Sequence, residues 1–137
     1  MTNDPFPNKI ALPPVFGTAF AITPDAWQYA LKALVVGLAA ALVFNRESGV
    51  VSVMILGVVY GLLILLTYFL HTVGHIISAR EVDAPMRETV WTKNRQVNLY
   101  DPGDYPPQVH SVRASGGPLM NLTLAAFVFV VWACIPG

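Results

Sequence analysis

The sequence predicts an all-α integral membrane protein with three transmembrane helices and a cytoplasmic loop between the second and the third. The first observation is composition: the 137-residue chain is 55% hydrophobic and 12% charged, with a mean hydropathy of +0.56. Soluble domains carry roughly 25% charged residues. The second observation is that three long apolar segments alternate with short polar ones. We therefore expect a single membrane domain over residues 1–137, whose apolar faces lipid covers.

Charge and cysteine content narrow the function classes. Eight basic and eight acidic residues give no net charge, so no basic field attracts nucleic acid, and no nucleic-acid partner is expected. The single cysteine, Cys134, lies in an apolar run and builds neither a disulfide framework nor a cysteine-rich zinc site. The N-terminus lacks the basic and apolar pattern of a cleavable signal peptide. The first apolar helix is therefore expected to serve as the targeting signal.

The first two segments are a proline-rich arm and a helix. Residues 1–24 contain five prolines, which oppose helix formation and predict an extended arm along a surface or partner. Thr23 and Pro24 match the N-cap and first position of a helix over residues 25–44. Trp27 and Tyr29 suit the membrane interface, and Lys32 is expected to extend back towards the head groups.

The second helix is predicted over residues 50–79, after a short polar loop at 45–49. This run has no charged side chain apart from two histidines and is longer than the ~20 residues that a bilayer span needs. Its last third carries a polar stripe, which should face protein or a cavity rather than lipid. The stripe consists of Thr67, His71, Thr72, His75 and Ser78.

Residues 80–113 hold most of the charge and are predicted to form the cytoplasmic loop. Alternating polar and apolar residues at 96–100 predict a short strand or hairpin, and the third transmembrane helix is predicted over 114–135. Basic residues near the helix ends favour a cytoplasmic N-terminus in a multi-pass protein of the cell inner (plasma) membrane. Lys9, Arg80, Arg87, Lys93, Arg95 and Arg113 lie on one side, against Arg46 on the other.

His71 and His75 are the residues most indicative of function. At a spacing of four residues they share one helical face and can reach one metal ion or cofactor. The helical rise places them about 13 Å and about 7 Å from Arg80, inside the membrane near its cytoplasmic face. Ionisable residues at this depth are usually functional, but neutral histidines also form interhelical hydrogen bonds. The pair alone leaves ligand binding and structure evenly balanced.

Two motifs together resemble the site-2 protease family of intramembrane zinc metalloproteases. His71-Thr72-Val73-Gly74-His75 is similar to the family's H-E-x-G-H, and Gly117-Pro118-Leu119-Met120-Asn121 is similar to its G-P-x-x-N. The resemblance covers roughly residues 50 to 130. It implies that His71 and His75 would be zinc ligands, with a third carboxylate ligand from an aspartate on a later helix. It also implies that Gly117, Pro118 and Asn121 would lie near the substrate-binding groove.

The chain departs from the family pattern at two points. Thr72 replaces the glutamate that serves as general base, and a hydroxyl has no pKa suited to that role. No acidic residue occurs in a predicted membrane helix beyond the entry of the first, although zinc hydrolases need three protein ligands. We therefore expect no catalytic residue, and a vestigial or incomplete metal site at His71 and His75. His110 is the one other histidine, and we favour a solvent or interface role over ligation.

The leading hypothesis is a catalytically inactive, site-2-protease-like subunit with a structural or regulatory role in a membrane complex. Its expected partners are other transmembrane proteins and the lipid bilayer. The first alternative is an active intramembrane zinc metalloprotease, completed by a missing or partner segment. The second is a pigment-binding or haem-binding subunit in which a histidine ligates the macrocycle metal. Small and aromatic residues would then flank the ring: Gly57, Tyr60, Gly61, Tyr68 and Phe69.

Overall fold

The structure is a computed structural model that describes residues 5–135. It contains three helices and a four-stranded sheet, so the all-α prediction is wrong: 60% of the described residues are in helices and 17% are in strands. The elements in chain order are β1 (Ile10–Val15), β2 (Thr18–Ile22), α1 (Trp27–Phe44), α2 (Val50–Glu81), β3 (Met86–Trp91), β4 (Gln96–Tyr100) and α3 (Pro107–Cys134).

The sheet has the order β1-β2-β3-β4 and is mixed. β1 and β2 are antiparallel and joined by Phe16 and Gly17, both with positive φ (47° and 69°), as in a two-residue hairpin turn. β2 and β3 are parallel, from Ala19↔Glu88 to Ile22↔Trp91. Parallel strands need a long crossover connection, and α1 with α2 supplies it.

The β1–β2 hairpin corrects the prediction of an extended arm over residues 1–24. Pro13 and Pro14 lie where the register shifts, between Leu12 and Val15, and β1 is an edge strand. Proline is tolerated there because the missing N–H need not serve a ladder bond. The first four residues of the predicted arm lie outside the described residues.

All three helices are long and apolar enough to cross a membrane by length and composition. α1 begins at Trp27, two residues later than predicted, and Thr23 does not cap it. The Thr23 hydroxyl lies 2.6 Å from Oδ1 of Asp25 and 3.2 Å from the Trp91 carbonyl oxygen. The side chain therefore stabilises the turn between β2 and α1.

The charged loop is shorter than predicted. α2 continues to Glu81, and α3 begins at Pro107 rather than at residue 114, because proline fits the first turn of a helix, where no N–H is needed. The predicted strand at 96–100 is confirmed as β4. Four residues join β3 to β4, and the Thr92 N–H donates to the Arg95 carbonyl oxygen at 3.0 Å.

The chain divides into two compact units, the first running through Leu66 and including Arg87–Leu99. In this unit α1 and α2 pack through glycines. A Cβ added to Gly37 would lie 2.5 Å from the Gly57 carbonyl oxygen and 2.8 Å from Cα of Gly61. The helix backbones therefore touch, as small residues permit in membrane helix pairs.

Two lysines form polar contacts with the first unit's sheet, one from the residue before β1 and one from α1. Lys9 forms a salt bridge of 2.7 Å with Glu88. Lys32 donates to the Lys93 carbonyl oxygen at 2.9 Å and to Oδ1 of Asn94 at 3.1 Å. The Lys32 ammonium is thus hydrogen-bonded by the turn between β3 and β4.

The second unit comprises Thr67–Met86 and the described residues from Tyr100 onward. It holds the C-terminal half of α2 together with α3. Both motifs that resemble the site-2 protease family lie in this unit.

Candidate functional site

The two histidines of α2 face each other. Nε2 of His71 and Nε2 of His75 are 3.1 Å apart, and the rings meet edge to face, with centroids 4.8 Å apart and an interplanar angle of 78°. This follows from the helix itself, because residues four apart project from the same face. The pair is therefore in direct contact, as the spacing predicted.

A backbone carbonyl of α3 orients the ring of His75. Nδ1 of His75 lies 2.7 Å from the carbonyl oxygen of Arg113, at the start of α3. A carbonyl only accepts, so Nδ1 of His75 is the donor in this bond. With the contact between the two Nε2 atoms, a hydrogen-bond chain runs from His71 through His75 to Arg113.

Gly117 lies directly against both rings. A Cβ at this position would lie 2.5 Å from Nε2 of His75 and would also overlap Nε2 of His71. Pro118 follows inside α3 without ending the helix. The structure thus brings the glycine of the second motif to the histidines of the first, although the two are far apart in sequence.

The α2 and α3 backbones approach closely on either side of Gly117. A Cβ added to Gly74 would overlap the carbonyl oxygen of Gly116, and one added to Gly116 would overlap Oγ of Ser78. Oγ of Ser78 lies 3.2 Å from the His75 carbonyl oxygen and 3.4 Å from that of Arg113. The contact therefore requires small residues on both helices.

Asn121 lies one turn after Gly117, and its side chain interacts with His71. Its Oδ1 and Nδ1 of His71 are buried without a hydrogen-bond partner at good geometry. Unpaired buried polar atoms are rare and indicate strain or function. His71 and Asn121 thus each keep one buried polar atom without a hydrogen-bond partner.

Thr72 occupies the place of the family's general base and is fully buried. Its hydroxyl donates to the Tyr68 carbonyl oxygen one turn back, at 3.1 Å. Threonine commonly makes this bond within helices. The side chain is thus engaged by its own helix.

The residues at this site do not fit the zinc of a metallohydrolase. Such a site uses three protein ligands and one open position, whereas His71 and His75 are two. Among residues 5–135, no three His, Cys, Asp or Glu side chains lie close enough to hold a metal ion. Three carboxylates in or beside the charged loop, Glu81, Asp101 and Asp104, are exposed.

His110 does not join the pair. It is exposed in the first turn of α3, and its ring meets that of Tyr105 edge to face at 6.4 Å between centroids. The solvent or interface role favoured from sequence stays a prediction.

Arg113 is the functional-site residue that sequence reasoning missed. It is 6% exposed, its guanidinium carbon lies 3.6 Å from the ring centroid of Tyr100, and Tyr105 is 5.4 Å away. Burial raises the pKa of the Tyr100 hydroxyl, and the positive charge of Arg113 partly offsets that rise. The stacking of Arg113 on Tyr100 holds in place the residue whose backbone carbonyl binds His75.

The α2 contact could have been found from sequence. Gly74 and Ser78 form a small-xxx-small pair typical of close membrane helix contacts. A carbonyl acceptor such as that of Arg113 has no such signal, because every residue carries one.

The glycines considered for a macrocycle pocket belong to a helix contact instead. A Cβ at Gly57 would lie 2.9 Å from Cα of Leu38, and one at Gly61 would lie 2.9 Å from Cα of Leu34. The face of α2 that carries them is covered by α1, so it offers no room for a ring.

Comparison with known proteins finds no relative. No family model, curated protein or solved structure matches the chain.

Proposed function

We propose that the protein is a catalytically inactive, site-2-protease-like subunit with a structural or regulatory role in a membrane protein complex. The observation that carries this proposal is the hydrogen-bond chain from His71 through His75 to Arg113. Nδ1 of His75 donates to the Arg113 carbonyl oxygen of α3, and Nε2 of His75 lies 3.1 Å from Nε2 of His71. The pair therefore works as a clamp between α2 and α3.

Thr72 supports the same conclusion. A hydrolytic site in this motif needs a base beside the metal-bound water, and the Thr72 hydroxyl is buried and bonded to Tyr68. The chemistry is missing while the helix contact is intact. A close α2–α3 contact without a general base is what we expect of a protein that binds partners rather than one that cleaves them.

The test combines metal content, activity and size. Purified protein should contain no stoichiometric zinc, should not cleave a transmembrane peptide, and should be extracted from native membranes in a complex larger than its own 14.9 kDa. One zinc per chain together with chelator-sensitive cleavage would overturn the proposal. A monomeric extract would remove the subunit role.

One observation favours the second candidate, an intramembrane zinc protease completed by a partner segment. Metal-ligating histidines usually donate their other ring N–H to a carbonyl or carboxylate, and Nδ1 of His75 faces a carbonyl oxygen in this way. This candidate predicts cleavage that chelators abolish and that His71→Ala removes.

We further propose a multi-pass protein of the cell inner (plasma) membrane with a cytoplasmic N-terminus. Lys9, Arg87, Lys93 and Arg95 lie on or beside the strands of one sheet, so this sheet carries much of the basic bias that sets orientation. A protease-accessible tag at the N-terminus of inside-out vesicles, but not of right-side-out ones, is the expected result.

A further inference from the structure

The β1–β2 hairpin, residues 10–22, has a composition that water-exposed hairpins lack. It contains no charged side chain, and its one polar side chain, Thr18, is 2% exposed. An antiparallel sheet with one face in water normally alternates apolar and polar residues along each strand. Neither face of the hairpin therefore presents polar side chains to solvent.

The apolar side chains of β1 are nevertheless exposed. Ile10 is 54% exposed and Leu12 is 41% exposed, while Ala11 between them points to the other face and is also exposed. At the tip, Phe16 is 58% exposed in a left-handed conformation, where a hairpin in water favours Asn or Asp. Contiguous exposed apolar surface of this kind indicates an interaction site.

A second copy of the chain is not expected to pair with the exposed edge of β1. Pairing of two β1 edges would need a row of backbone N–H donors, and Pro13 and Pro14 interrupt that row because proline has no N–H. The same loss favours contact with lipid, which cannot accept hydrogen bonds from an open edge. The donors that remain confine β1 to the head-group boundary, where water is present.

The hairpin is also continuous with a membrane span. Four residues join the end of β2 to Trp27, the first residue of α1, and Trp27 is 62% exposed. Tryptophan at the end of a span is typical of the membrane interface. At the other end of the hairpin, Lys9 is neutralised by Glu88.

From these observations we infer that the β1–β2 hairpin lies in the head-group boundary of the leaflet that holds the Trp27 end of α1, with bilayer lipid covering β1. The exposed residues Ile10, Leu12 and Phe16 contact acyl chains. The hairpin thus anchors the sheet to the membrane independently of the function proposed above.

The test measures lipid access in the full chain reconstituted in lipid nanodiscs. In a Cys134→Ser background, a spin label is placed by Leu12→Cys or by Phe16→Cys. The matched control is Arg95→Cys, which labels an exposed residue in the turn between β3 and β4 of the same sheet. We expect the labels at 12 and 16 to collide more with oxygen than with a water-soluble nickel chelate, and the label at 95 to show the reverse.

Three results would overturn the inference. Nickel access at 12 and 16 equal to that at 95 would place the hairpin in water. Dipolar broadening at 12 that disappears on dilution with unlabelled protein, or a label that neither reagent reaches, would show that protein covers the hairpin instead. Should Phe16→Cys disturb the turn, Leu12→Cys carries the test alone, since Leu12 lies within a strand.

Discussion

Gly117 of α3 lies so close to His75 of α2 that a Cβ at this position would stand 2.5 Å from the ring nitrogen Nε2. The glycine of one motif and the histidine of the other thus form a single contact between two helices. That contact makes the packing role of the histidine pair directly testable.

Gly117→Ala should destabilise the protein. The added methyl group overlaps both imidazoles, and overpacking of this kind costs about 1–3 kcal/mol. The free energy of unfolding in mixed micelles would be compared with that of Gly49→Ala, because a Cβ at Gly49 meets nothing within 4 Å. The control should change stability by less than about 1 kcal/mol. Equal changes in the free energy of unfolding for the two variants would mean that α2 and α3 can move apart at Gly117 without loss of stability.

His75→Ala should weaken the attachment of α3 to α2. The change removes the bonds to His71 and to the Arg113 carbonyl, and a loss of about 1–3 kcal/mol is expected when a buried acceptor is left unpaired. His110→Ala removes a histidine from an exposed position of the same unit and should stay within about 0.5 kcal/mol. Thermal unfolding in one detergent measures both. A histidine pair without a structural role would give the same small change in each variant.

Thr72→Glu should not restore proteolysis. The position is fully buried, so the carboxylate lacks water and a full ligand set, and an acidic residue within a membrane helix costs about 3 kcal/mol. Thr72→Val keeps the shape and removes the hydroxyl bond to Tyr68, so its effect should be smaller. Cleavage of a labelled transmembrane peptide, with and without chelator, is the measurement. Chelator-sensitive cleavage by Thr72→Glu would mean that zinc binds after all.

Tyr100 should titrate above its ordinary pKa of 10.0, because burial disfavours the phenolate. The folded state then holds its proton to higher pH than the unfolded state. This stabilisation is complete below about pH 10 and is lost as the pH rises through the folded pKa. Phenolate absorbance, taken as the difference from Tyr100→Phe, gives the pKa.

Arg113→Gln should raise the pKa of Tyr100 further, since the Arg113 charge lowers it. Arg95→Gln, at an exposed arginine in the turn between β3 and β4, should leave it unchanged. A Tyr100 pKa that does not respond to Arg113→Gln would contradict the stacking of the guanidinium on the ring.

The helices were predictable because a long uncharged run such as residues 50–79 favours a membrane span over other structures. The β1–β2 hairpin was not, because strands are recognised by alternation, and residues 10–22 are apolar on both faces. The pairing of β2 with β3 was equally hidden. It joins strands separated by two helices, and no local pattern records such a partner.

The site was partly predictable. Helical spacing alone places His71 and His75 side by side, and the second motif led to Gly117 and Asn121. The role of Arg113 could not be predicted. Its backbone carbonyl has no sequence signature, and the stacking of its guanidinium on Tyr100 depends on the path of the loop. The donor role of Nδ1 of His75 follows only once that carbonyl is located.

The parallel pairing of β2 with β3 also sets an order of assembly. Thr23 and Trp91, which hydrogen-bond at this junction, are 68 residues apart, and α1 and α2 lie between them. β2 therefore leaves the ribosome long before β3 exists, because α1 and α2 are synthesised between them. During that interval its apolar edge is open, and contacts this distant in sequence form slowly. The sheet is thus completed only after α1 and α2 have been synthesised.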